Sequence, residues 1–282
     1  MADPLGLIAG EGVFPLLVAR GARAAGRSVV CAALAGCAWP ELRVECAQFR
    51  RVGITRMSQW IKVLKTADCR EAIMVGRVAK SKMYSRWRYL QYIPDARTAK
   101  LWFNTLRHDK NPGTVLRAIS DELAREGITL IDSTKYCTEH LATPGVMTRR
   151  HPTEKQWQDI RFGYELCRTI SKMDIGQAVA VLDKDVIAVE ALEGTNAMID
   201  RAGALCKSGG WTLIKVANAC EDMRMDVPSI GTTTIEKLHA AKAACVVLEP
   251  GKTIILEKQK VLELADRYKI AIVGYEGSLE QT

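Results

Sequence analysis

Five carboxylates, a lysine and an arginine in the second half of the chain stand where phosphate groups could be handled. Lys215 closes an apolar, β-branched run from Thr212 to Val216, and a polar stretch with Glu221, Asp222, Arg224 and Asp226 follows it. Val227-Pro228 imposes extended backbone. Gly231-Thr232-Thr233-Thr234 then opens a helical pattern from Ile235 to Ala244. A strand exit, a loop with acids and an arginine, and a helix N-terminus therefore converge, and such N-termini favour anions through their unpaired N–H groups and dipole. Val189 to Met198 repeats the arrangement: a strand, then Glu190, Glu193 and Gly194, then Thr195 and Asn196 where a helix begins. One such loop alone could be a solvated turn whose charges pair with one another. The second segment argues for a site.

The elements that must position these residues read as α/β. Leu5 to Ala9 is a short strand, Gly10-Glu11-Gly12 a tight loop, Phe14 to about Ala25 a helix, and Ser28 to Ala33 the next strand. This βαβ start resembles a dinucleotide fold, with spacing G-x-G-x-x-P. The acid that would hold a ribose hydroxyl after the second strand is missing, since Ala32-Ala33-Leu34-Ala35 stand there. Nicotinamide binding is therefore disfavoured, while nucleotide contact through backbone N–H groups and a plain tight turn both stay open.

Met57 to Thr66 predicts a helix and Ala72 to Val75 a strand, with Gly76-Arg77-Val78-Ala79-Lys80 at its carboxyl end. Ligands meet open α/β sheets at such ends; a basic surface loop is the alternative. Leu101 to Leu106 and Val115 to Glu126 read as helices, and Ile128 to Ile131 as a buried strand. Leu141 to Pro152, with two prolines, a glycine and no periodicity, reads as a linker between domains over 1–140 and 153–282. A helix from Glu154 to Ser171 follows, with Ile160, Tyr164, Cys167 and Ile170 as its core face. Gln177 to Leu182 and Val186 to Ala191 form a hairpin around Asp183-Lys184-Asp185, delivering Glu190 and Glu193 to one end of a mixed sheet. Ala197 to Cys206 and Lys258 to Tyr268 are further helices; Cys245 to Leu248, Thr253 to Leu256 and Ile270 to Gly274 are further strands.

Composition narrows the classes. Hydrophobic residues make up 48% and charged residues 26% of the 282, ordinary for a protein with real cores. The formal charge of +8 suits an anionic ligand or a negatively charged membrane surface, and it is too diffuse to argue for nucleic acid. Nine cysteines without a Cys-x-x-Cys pair read as scattered thiols in a reducing compartment. The four histidines show no metal-binding spacing, so any metal should be a hard cation on oxygen ligands. Met-Ala-Asp-Pro begins no basic leader, and Glu11 interrupts the first apolar stretch. The expectation is a cytoplasmic protein, soluble or peripheral to the inner membrane.

Four segments, LGLIAGEGVFP from Leu5, DIGQAVAV from Asp174, AVEALEGTNAM from Ala188 and MDVPSIGTTTI from Met225, resemble the LpxI-type UDP-2,3-diacylglucosamine pyrophosphatases in order and spacing. The resemblance runs from Leu5 to about Gly274. It implies a Rossmann-like UDP-binding domain followed by an α/β hydrolase-type domain for the lipid. It also implies hydrolysis of UDP-2,3-diacylglucosamine to UMP and 2,3-diacylglucosamine 1-phosphate, with water entering at the α-phosphorus.

Such a cleavage builds charge on both phosphates, so the protein must position and neutralise. The expected metal ligands are Asp226, Glu193, Glu190 and Asp222, holding Mg2+ or another divalent cation. Asp226 takes the central role from its place in the DVPSIG segment, and Arg224 and Lys215 would clamp phosphate. Glu190 could instead end its strand and pair with Lys215. Substrate contacts are expected from Gly10, Glu11, Gly12, Gly76, Val78, Lys80, Gly194, Thr195, Asn196, Gly231 and Thr234.

Two departures stand out. Asn196 occupies the last position of an EGTD pattern, keeping an oxygen acceptor but losing a charge. Lys110-Asn111-Pro112-Gly113 stands where the resemblance implies an acidic Gly-Asp-Asp run. The rival reading is an inactive or soluble-substrate UDP-sugar-binding protein on the same scaffold. Expected partners are the acylated UDP-sugar lipid and, peripherally, the membrane, without nucleic acid; a homodimer is left open.

Overall fold

The computed structural model describes residues 3–78, 93–107, 112–217, 224 and 227–277. The chain divides into two compact units, Met1–Cys137 with Asp222–Asp226, and Thr138–Glu221 with Val227–Thr282.

The first unit is built on a parallel sheet of β1 (Leu5–Ala9), β2 (Val29–Leu34), β3 (Gln48–Val52), β4 (Glu71–Val75) and β5 (Thr129–Leu130), in the order β3-β2-β1-β4-β5. Every residue of β1 and β2 is buried, as expected for parallel strands covered on both faces. Helices α1 (Phe14–Ala24), α2 (Met57–Thr66), α3 (Ala96–Leu101) and α4 (Pro112–Arg125) belong to this unit. α2 turns Met57, Trp60, Ile61 and Leu64 onto a core shared with Val30, Ala32, Leu34, Leu123 and Ile128.

Two sequence expectations change here. β3 was not foreseen, because as the outer strand it exposes Gln48, Arg50 and Arg51 and so carries no apolar alternation. The helix expected over Leu101 to Leu106 begins at Ala96 and passes into a π-helical stretch, Trp102–Leu106. Asp95 explains the earlier start: its carboxylate caps the helix by accepting from the Thr98 amide at 2.8 Å, and also takes the Ser58 amide of α2 at 2.7 Å.

The second unit is a mixed six-stranded sheet, ordered β6-β13-β11-β9-β7-β8. Its strands are β6 (Gly145–Val146), β7 (Ala178–Leu182), β8 (Asp185–Val189), β9 (Thr212–Lys215), β11 (Cys245–Leu248) and β13 (Ala271–Gly274). β9, β11 and β13 run parallel; β6 and the β7–β8 hairpin are antiparallel additions. A separate parallel pair joins β10 (Ser229–Ile230) to β12 (Ile254–Ile255). Helices α5 (Glu154–Lys172), α6 (Thr195–Leu205), α7 (Thr232–Ala240) and α8 (Lys258–Tyr268) complete it.

Alternation along the strands sorts the two faces. Ala178, Ala180, Leu213, Val246, Leu248 and Ile272 face α6, α7 and α8. Val179, Val181, Ile214, Val216, Val247 and Val273 face α5, which meets them with Ile160, Tyr164, Cys167 and Ile170. The hairpin turns on Asp183 (φ 52°) and Lys184 (φ 60°), both left-handed as a tight turn of this kind requires. Buried Asp159 of α5 fixes it by accepting from the Asp183 amide at 3.2 Å and the Lys184 amide at 2.6 Å. Among the described residues no helix is long and apolar enough to cross a membrane.

Candidate active site

In the second unit the carboxyl ends of β8 and β9 bring three of the singled-out residues together. Ala178 of β7 pairs with Lys215, and the Glu190 amide donates to the Ala178 carbonyl at 2.8 Å. Glu190, Ala178 and Lys215 thus form one row across the sheet, on the face of α6. The hydroxyl of Thr195, first residue of α6, donates to Glu190 Oε1 at 2.8 Å and accepts from Lys215 Nζ at 2.6 Å. Glu190 and Lys215 are buried, at 7% and 6% exposure, so the two opposite charges sit in a medium that magnifies their field. Glu190 Oε2 is buried and, among the described residues, accepts no hydrogen bond. A buried carboxylate oxygen left so is costly, and a bound ion is one reason for such an atom.

Glycine makes room for this row. A Cβ on Gly176 would lie 1.9 Å from the Glu190 carbonyl, so the chain passes directly against Glu190 there. α6 starts after Gly194 (φ 82°) and α7 after Gly231, and neither helix has a side-chain cap at its first turn. Thr234 is buried in that first turn of α7, and Asn196 is exposed on α6.

Glu193 points elsewhere. Its Oε1 takes the Arg201 guanidinium at 2.5 Å and its Oε2 the Ala191 amide at 3.1 Å. Its own backbone N–H first, and then Arg201, hold this carboxyl below the usual range. Among the described residues no three His, Cys, Asp or Glu side chains gather as a metal cage. Asp222, Asp226 and Lys80 lie outside the described residues, and Arg224 is exposed.

Cys167 lies under the same row, close enough to feel Glu190 and Lys215. Burial first, eased by the Val216 amide, pushes its thiol up to about 12, so it stays protonated and is no nucleophile. Glu249, just past β11, was not singled out in the sequence. It is 3% exposed, takes Arg168 at 3.2 Å and Lys252 at 2.8 Å, and accepts the Ala217 amide at 3.0 Å. The only signal was its position, an acid at the exit of the apolar run CVVL.

In the first unit the sheet order reverses between β1 and β4, and the glycines fall there. Gly10 and Gly76 touch backbone to backbone: a Cβ on Gly10 would lie 2.7 Å from the Gly76 carbonyl carbon. The Gly10 amide donates to Val75 at 2.8 Å and the Glu11 amide to Arg77 at 2.8 Å, with Arg77 returning a bond to Glu11 at 2.9 Å. Those two N–H groups are therefore spent on the sheet. Gly12 (φ 113°) follows with open space around it and α1 behind it, and Val78 is exposed at the exit of β4.

The chain's two α/β units fall close to the spans of two family matches. The family model described as LpxI N-terminal domain matches residues 4–140, and that described as LpxI C-terminal domain matches residues 143–273. The chain belongs to the LpxI family. A curated relative, UDP-2,3-diacylglucosamine pyrophosphatase LpxI of Caulobacter vibrioides, is 30% identical over 279 residues, covering 96% of each chain.

Proposed function

We propose that the chain hydrolyses the pyrophosphate bond of UDP-2,3-diacylglucosamine, releasing UMP and 2,3-diacylglucosamine 1-phosphate for lipid A synthesis. Family membership supports the substrate. The observation that carries the chemistry is the buried Glu190–Thr195–Lys215 chain with its unpartnered carboxylate oxygen.

The residues fit a divalent cation in part. Glu190 Oε2 is an acceptor awaiting a partner, and Asp222 and Asp226 are the acids proposed to join it, with Glu193 if it leaves Arg201. Bound there, Mg2+ would neutralise charge on the phosphates and make a water more acidic. Lys215 supplies fixed positive charge, held in place by Thr195, at the strand exit. Arg224 is read as a second phosphate clamp and Asp226 as the acid orienting the attacking water at the α-phosphorus. The first turns of α6 and α7, at Gly194-Thr195-Asn196 and Gly231 to Thr234, add N–H groups that favour phosphate oxygens.

The first unit is read as a Rossmann-like UDP-binding domain, because its parallel order β3-β2-β1-β4-β5 reverses beside Gly10-Glu11-Gly12 and Gly76. Each methylene of an acyl chain taken from water contributes about 0.8 kcal/mol, so two chains outweigh the polar contacts. The protein is therefore read as either burying those chains in an apolar crevice or working at a membrane face. The test is Mg2+-dependent release of UMP from the diacylated substrate by the purified chain. Binding without release would favour a UDP-sugar-binding protein, the reading to which Asn196 lends its missing charge.

A further inference from the structure

In the first unit α3 and the π-helical stretch that continues it, Trp102–Leu106, are fixed along one side. The Thr98 hydroxyl accepts from the Met57 amide at 3.2 Å, and Arg97 meets Glu122 at 2.9 Å and Glu126 at 2.6 Å. Leu101 packs against the core that α2 shares with β2. The other side meets solvent with large apolar groups: Phe103 is 62% exposed and Trp102 45%, and Lys100 and Arg107 are exposed beside them.

The charge of this side has one sign. From Ala96 to Arg107 the sequence has three bases and no acid. Asp95, just before them, is spent on the Thr98 and Ser58 amides, while Glu122 and Glu126 of α4 are taken by Arg97, Arg125 and Lys65. Its place in the fold is equally definite. The Asp95 amide donates to the Thr55 carbonyl at 3.2 Å, just past the end of β3. The element therefore starts at the carboxyl end of the parallel sheet, where β1 and β4 give way to Gly10 and Gly76.

Exposed rings beside cations suit a lipid boundary, since the rings leave water among headgroups and acyl chains while ammonium and guanidinium groups reach phosphates. Anionic lipid answers the positive charge over the whole face, in line with the formal +8 of the chain.

We propose that this face docks on an anionic lipid surface: Trp102 and Phe103 enter the headgroup boundary, Lys100 and Arg107 meet lipid phosphates, and the carboxyl end of the first sheet is brought to where a diacylated substrate is found. Only that last clause rests on the hydrolase reading given above.

Sedimentation of the full-length chain with vesicles tests the docking, with phosphatidylglycerol and phosphatidylcholine in equal parts against phosphatidylcholine alone. The parent should pellet with the anionic vesicles and not with the neutral ones, and added salt should release it. Lys100→Gln and Arg107→Gln should each weaken partitioning by roughly fivefold, and Phe103→Ala by about tenfold. These side chains are exposed, so denaturant midpoints and UMP release from detergent-dispersed substrate should stay those of the parent. A parent that stays in solution with both kinds of vesicle, as it would if the face served a protein partner, overturns the proposal. Equal binding to the two kinds, or variants that pellet like the parent, overturn it as well. Sedimentation needs no turnover, so a chain that docks but releases no UMP keeps this inference and loses only the hydrolysis.

Discussion

Glu190 and Lys215 carry opposite charges in one row of the second sheet, and the hydroxyl of Thr195 joins them. An ammonium that donates to a hydroxyl, which in turn donates to a carboxylate, is held in one orientation at both ends. The carboxylate needs only one of its oxygens for this, and the other is buried without a hydrogen-bond partner among the described residues.

Thr195→Val keeps the shape of that side chain and removes its hydroxyl. Lys215 and Glu190 then lose their common partner inside the protein. UMP release should fall about tenfold or more, while Thr195→Ser, which restores the hydroxyl, should recover most of it. Equal rates for the valine variant and the parent would show that the chain of hydrogen bonds is structural only.

Glu190 and Glu193 are both proposed cation ligands, but they differ in what they already hold. Glu193 has both oxygens committed, to Arg201 and to the Ala191 amide, whereas Glu190 has one uncommitted. Glu190→Gln should therefore raise the Mg2+ concentration giving half-maximal rate by about tenfold, and Glu193→Gln by much less. A magnesium titration of the two variants settles the order; the reverse order would mean that Arg201 releases Glu193 when metal binds.

Asp226→Ala should abolish UMP release without preventing the lipid substrate from binding. The measurement is a turnover assay paired with extraction of bound lipid from the variant. Retained turnover would take Asp226 out of the chemistry.

Asp95 gives the first unit a pH signature. Burial pushes its carboxyl up, but the Thr98 and Ser58 amides outweigh this and set it below the ordinary value. A depressed carboxyl stabilises the fold where it is ionised in both states, above its unfolded value of about 4, and that contribution is lost as pH falls through the folded value. Denaturant midpoints should thus drop as pH falls below about 4, and Asp95→Asn should flatten the drop. An unchanged pH slope in Asp95→Asn would assign the loss to other carboxylates.

Much of this framework was readable in the residues. α2 spans Met57–Thr66 and α8 Lys258–Tyr268 because their apolar spacing is helical throughout. The hairpin at Asp183-Lys184 was legible from its alternation and its turn residues. The strand expected over Thr253 to Leu256 is β12, Ile254–Ile255. Where burial did not follow periodicity the sequence was silent: β3 shows solvent two arginines, and β10 is too short to carry a pattern. Glu190, Thr195 and Lys215 were each singled out, and a pairing of Glu190 with Lys215 was one reading of the strand end; the Thr195 hydroxyl that joins them was not foreseen. That link depends on the register of β7, which sets Ala178 between the two charges. Glu249 gave less warning still, since its partners Arg168, Ser171 and Ala217 come from distant parts of the chain.

The outer strand of the first sheet has a last consequence. Arg50 and Arg51 stand exposed along β3, beside main-chain groups that a neighbour's strand could otherwise zip onto. A second copy approaching in that way would bring guanidinium against guanidinium, so the sheet resists growing from molecule to molecule.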